Sequence, residues 1–72
     1  MRPFYQFLMT FRHKRGSDEK TALAKWAFHD HDFPKYSTDY HELSNYLEWN
    51  SPFLEALSTF DQIWEEYTTT YK

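Results

Sequence analysis

Phe53, Leu57, Phe60, Trp64, Tyr67 and Tyr71 follow one another at spacings of four, three, four, three and four residues. Residues three and four apart share one face of an α-helix, so this spacing predicts an apolar seam about five turns long. Ser51 is a good N-cap for it, and Pro52 suits the first helical position. Thr59 followed by Gln62 also has the form of a capping box. The segment therefore reads either as one helix, bent near Ser58–Thr59, or as two short ones.

The same period runs through the rest of the chain. Phe4, Phe7, Leu8 and Phe11 fall at i, i+3, i+4 and i+7 behind Pro3, and Tyr5 and Met9 widen the stripe. That helix is expected to stop near Arg12–Arg15, before Gly16, because cations suit a helix C-terminus and glycine the left-handed turn after it. A second helix begins at Ser17 or Asp18, carries Ala22, Leu23, Trp26 and Ala27 on its stripe, and ends near His31. Pro34 disfavours a helical Phe33. A third starts at Thr38 or Asp39, with Tyr40, Leu43 and Leu47 inward, and ends near Trp49 and Asn50. Asp39 and Glu42 resemble a capping box, and Asn50 suits a left-handed cap. No stretch alternates long enough for a strand. The expected fold is all-α, a compact bundle of four helices, or five if the last one breaks.

At 72 residues the chain has room for one domain, expected to span 1–72. Small domains bury a limited share of their surface. Here aromatic residues, 22% of the chain, compensate, since each removes about 150–250 Å² from water when buried. There is no cysteine, hence no disulfide and no thiol nucleophile or ligand. The apolar N-terminus is short, has no small-residue cleavage site and runs into Arg12–Arg15. Neither a signal peptide nor a membrane span is read, and a cytoplasmic protein is expected.

Charge is divided between the halves. Residues 1–36 hold seven Lys/Arg against four acids, a balance of +3. Residues 37–72 hold one Lys against seven acids, a balance of −6. Such a molecule can steer a partner with either half, or pair with itself head to tail.

Residues 29–42, HDHDFPKYSTDYHE, raise the question of a metal. His29 and His31, two apart, point to different sides of a helix. His29 with Asp32 gives two ligands where a structural zinc needs four. A corner between helices accounts for the residue types better: histidines close one helix, Asp39 and Glu42 open the next, and Phe33 and Tyr36 tuck into the core as anchors. Ser37, Asp39 and His41 are neighbours in sequence, which does not make a triad. With one glycine there is no phosphate loop. No enzymatic activity, metal or cofactor is expected.

The best binding candidates are Arg12, Lys14, Arg15 and Lys20, a basic turn beside a helix start that would hold phosphates. Against nucleic acid stand an overall pI of about 5.7 and a loop before the third helix that is long for a helix-turn-helix. Glu48, Glu55, Asp61, Glu65 and Glu66 would form an acidic face. Tyr5, Trp49, Tyr67 and Tyr71, if exposed together, would mark a binding patch.

FYQFLMTFR at 4–12, DHDFPKYSTDYHELSNYLEWN at 30–50 and FDQIWEEY at 60–67 resemble the YozE SAM-like family of small uncharacterised bacterial proteins. The resemblance covers nearly the whole chain. Its most specific part is Phe33, Pro34, Lys35, Ser37, Asp39 and Tyr40. It implies a compact helical fold like the sterile alpha motif, and brings no enzymatic activity, cofactor or established partner with it. Nucleic-acid binding follows from fold analogy alone. A cap-and-anchor turn explains these residues except Lys35, which joins the candidate contacts. The reading favoured is an interaction module for a protein partner or a second copy, with nucleic-acid binding as the alternative.

Overall fold

The computed structural model describes residues 2–13 and 18–71. Among them are four α-helices and no strand: α1 (Phe4–Leu8), α2 (Glu19–His29), α3 (Tyr40–Trp49) and α4 (Ala56–Thr70). A 3₁₀ turn over Met9–Phe11 continues α1. Helix α4 packs against α1, α2 and α3, so it is the element the others share.

Local chemistry sets the helix ends. Asp18 caps α2 by accepting the Thr21 N–H at 2.8 Å, and Glu19 adds negative charge to the first turn. Ser17, the other expected cap, lies outside the described residues. Asp39 caps α3 through the His41 N–H at 3.1 Å, and the Ser37 hydroxyl accepts the Asp39 N–H at 3.1 Å. At the far end of α3, Asn50 keeps φ at −126° rather than turning left-handed. Its side-chain amide donates to the Tyr46 carbonyl instead.

Helix α4 differs most from the expectation. It starts at Ala56, not at Ser51 or Pro52, and runs unbroken through Ser58 and Thr59. The Ser51 hydroxyl, expected to cap, donates to the Phe53 carbonyl, and the Ala56 N–H closes a turn onto the same group. Thr59 caps nothing: it is buried, and its hydroxyl donates to Glu19 on α2 at 3.1 Å.

The core gathers Phe4, Leu8, Phe11, Leu23, Ala24, Ala27, Phe33, Leu43, Leu47, Ala56, Phe60, Ile63 and Tyr67. On α2 the inward stripe is Thr21, Leu23, Ala24 and Ala27, while Ala22 faces solvent. Ala24 and Ala27, both fully buried, let α2 approach its neighbours closely. On α4 the inward residues are Ala56, Thr59, Phe60, Ile63 and Tyr67, a stripe turned away from Leu57.

Phe4 stands at the centre. Its ring lies 5.1 Å from Phe60, 5.5 Å from Trp64 and 5.4 Å from Tyr67, two of the three edge to face. Tyr67 returns a bond, its hydroxyl donating to the Arg2 carbonyl. Removing a buried phenyl ring costs about 3–5 kcal/mol, a large part of the roughly 5–15 kcal/mol that holds a domain folded. Phe4→Ala is therefore expected to leave much of the protein unfolded at room temperature and Phe4→Leu to lower the urea midpoint by less. A Phe4→Ala midpoint equal to that of the unsubstituted chain would contradict this account of the core.

Candidate functional site

The HDHDFPKYSTDYHE segment forms the corner between α2 and α3. Phe33 is buried, with its ring 5.7 Å from Tyr5, 6.1 Å from Trp26 and 5.7 Å from Tyr46. Asp30 accepts the Tyr46 hydroxyl through one carboxylate oxygen and the Asp32 N–H through the other. The Ser37 carbonyl accepts the Phe4 N–H at 3.2 Å, which ties the corner to the start of α1. His29, His31 and His41 are exposed, and no three metal-binding side chains gather among the described residues. Tyr36, expected to anchor the turn, instead stands 89% exposed. Phe33 is the aromatic of the turn that enters the core.

Among the described residues, the candidate cations Arg12, Lys20 and Lys35 each make a separate contact. Arg12 lays its guanidinium 3.8 Å over the centre of the Phe28 ring and reaches His13 at 3.1 Å. Lys14 and Arg15 lie outside the described residues. Lys20, in the first turn of α2, points at α4 and pairs with Glu66 at 2.7 Å. Lys35 belongs to the α2–α3 corner, and its ammonium sits 5.7 Å from the centre of the Tyr5 ring, a cation–π distance.

The expected acidic face is partly engaged as well. Glu66 holds Lys20, and Asp61 accepts the Tyr40 hydroxyl at 2.6 Å. Of the four aromatics expected to form a patch if exposed, Tyr67 is fully buried, Tyr5 and Tyr71 are half-buried, and Trp49 alone stands in solvent.

Sequence reasoning named Trp49 as a candidate patch residue, missed Leu54 in the same α3–α4 corner, and placed Leu57 on the inward seam although it is exposed. Trp49 is 86% exposed and Leu54 is 96% exposed, and Leu57 is also outward. Exposed Glu48 and Glu55 flank them. Phe28 on α2 is exposed too, but Arg12 covers its face. The signal for the corner was present: Trp49 lies two residues past buried Leu47, on the opposite side of α3.

Residues 3–69 match the family model described as the YozE SAM-like fold. The chain belongs to the YozE SAM-like family. It is 46% identical over 67 residues to UPF0346 protein YozE of Bacillus subtilis, across 93% of this chain and 90% of that one. A UPF0346 protein of Bacillus velezensis is 49% identical over 69 residues, across 96% and 93%. One from Listeria innocua is 50% identical over 66 residues, across 92% and 86%. The solution NMR structure of the Bacillus subtilis protein superposes with a TM-score of 0.79, covering 93% of this chain and 82% of that one. The fold is therefore the compact SAM-like bundle of the family. None of the described helices is long and apolar enough to cross a membrane.

The corner also has a pH signature. Burial first, then the bond to Asp30 and the charges of Asp30 and Asp32, push the Tyr46 hydroxyl from 10.0 up to about 12. The bond to Asp61 raises Tyr40, and burial raises Tyr67. A tyrosine whose folded pKa lies above its unfolded value holds its proton longer in the fold. Its contribution is intact below the unfolded pKa and is lost as pH rises through the folded one. Denaturant midpoints are thus expected to fall between pH 10 and about 12, and Tyr46→Phe to flatten part of that fall. An unchanged pH dependence in Tyr46→Phe would show that this hydroxyl is not the group responsible.

Proposed function

We propose that this chain is a non-enzymatic protein-association module that binds through its α3–α4 corner. The observation that supports the reading is the exposure of three large apolar residues, Trp49, Leu54 and Leu57, within nine positions of sequence. Full burial of one leucine is worth about 1.5–3 kcal/mol. Single exposed apolar residues are ordinary, but an exposed tryptophan followed closely in sequence by two exposed leucines, with exposed Glu48 and Glu55 among them, has the composition of an interface centre and its polar edge.

The alternative, nucleic-acid binding through Arg12, Lys14, Arg15 and Lys20, fits less well. Phosphate contacts need free cations. Lys20 would have to leave Glu66, and Arg12 would have to leave the Phe28 ring. The acidic residues of α4 lie beside Lys20 and would repel a phosphate backbone.

A photoreactive residue in place of Leu54, activated in cells that make the protein, tests the proposal. Protein adducts are expected from position 54, lost when Trp49→Ser is added, and absent from a probe at exposed Lys25. Adducts that persist in Trp49→Ser, or none at all from position 54, would overturn it. Saturable, salt-sensitive binding of a DNA duplex or structured RNA by the purified chain would favour the alternative.

A further inference from the structure

The exposed corner needs a counterpart, and the same molecule carries one of complementary chemistry. Pro3, Tyr5, Gln6, Met9, Lys35 and Tyr36 line a groove of about 370 Å³ along the outer side of α1. That is within the range of ligand clefts, roughly 300–1,000 Å³. Its surface is mainly proline, methionine and tyrosine ring, with exposed Tyr36 as one wall. Among the residues lining it, the one charge is the Lys35 ammonium. The chain that supplies its other side is free of acids: residues 2–13 contain Arg2, Arg12 and His13 and no Asp or Glu.

The corner is the inverse. Leu54 projects into solvent between Phe53 and exposed Glu55, with Trp49 and exposed Glu48 at the end of the neighbouring helix. An apolar knob edged by carboxylates matches an apolar groove edged by an ammonium. Like patches do not match. Corner against corner would set Glu48 and Glu55 near their own copies, and groove against groove would set Lys35 near Lys35. Like charges across an interface are unfavourable, so charge selects the unlike pairing.

We infer that the partner of the corner is a second copy of this chain, docked head to tail, with Leu54 and Glu55 of one copy in the Tyr5–Met9–Lys35 groove of the next. This rests on the reading of the corner as an association surface. The two patches differ, so the interface is heterologous: every added copy leaves one groove and one corner free, and association runs on beyond a dimer unless a ring closes. Both patches are small for a molecule of 28 × 27 × 21 Å. The contact is therefore weak, in the class of interfaces below about 1,200 Å². Its charged part is screened within about 10 Å at 0.1 M salt.

Sedimentation velocity of the purified chain and two surface variants decides it. Leu54→Ser disables the corner and Lys35→Glu the groove, both at positions outside the core. The unsubstituted chain is expected to sediment faster as its concentration rises, past the value of a dimer, and to slow at high salt. Each variant alone is expected to lose at least ten-fold in association and run as a monomer. Mixed in equal amounts they should form a dimer and stop there, because one working groove and one working corner remain between them. A monomer at every concentration, with position 54 still cross-linking other proteins in cells, would overturn the second copy and leave the corner as a partner surface. A monomer with no such cross-links would overturn both. Self-association that stops at a dimer and that the mixed variants fail to restore would point to a symmetric interface and overturn the head-to-tail arrangement.

Discussion

The bundle depends on where Phe4 is held. Its ring is packed by Phe60, Trp64 and Tyr67 of α4, and its backbone N–H is bound by the Ser37 carbonyl of the α2–α3 corner. One residue therefore fixes α1 against the central helix and fixes the corner against α1. The α1 helix has only five residues. A helix that short has no stability of its own, because nucleation is unfavourable and few hydrogen bonds follow it. Tertiary packing of Phe4, Leu8 and Phe11 is what keeps it helical, and the 3₁₀ turn at Met9–Phe11 brings the third of these into the core.

The same dependence explains how far the sequence could be read. Helix identity rests on local period and caps, and those were legible: Asp18 and Asp39 sit where their side chains accept early N–H groups, and α2 and α3 follow. The α2–α3 corner was legible for a related reason. Pro34, Ser37 and Asp39 act on their own neighbours in sequence. Tyr36 was misread because aromatics stand on either side of Pro34–Lys35 and only Phe33 of the two is buried. Which ring enters the core depends on Tyr5, Trp26 and Tyr46, contributed by three other segments.

Long-range pairing was not legible at all. Lys20 and Glu66 are 46 residues apart, and Thr59 and Glu19 are 40 apart. Lys20 read as part of a basic turn because it follows the Arg12–Arg15 run by only five residues, across the start of a helix. In the fold it faces α4 and serves as an interhelical tie. Thr59 read as a cap because Gln62 follows it. In the fold its hydroxyl is claimed by Glu19, and the helix passes straight through. Lys35 is the opposite case. No local role was visible for it, and the structure sets it on the rim of a groove with its ammonium over the Tyr5 ring.

The exposure of the α3–α4 corner does not depend on the late start of α4. With Phe60 and Ile63 facing inward, a helix extended back to Pro52 would turn Phe53 toward the core. Leu54, six residues before Phe60, would lie about 120° from it around the axis, and nine before Ile63, on the opposite side from that residue. Leu54 is outward in either arrangement, and Trp49 is set outward by Leu43 and Leu47 on α3. Apolar residues thus occupy positions that the helical phase assigns to solvent, while buried positions on the same elements hold alanine and threonine at 56 and 59. The core makes no contact that requires tryptophan or leucine at positions 49 and 54. Packing explains Phe4, Phe60 and Tyr67 completely. It leaves Trp49 and Leu54 unexplained, and the proposed association surface is a role that exposed residues of this size can fill.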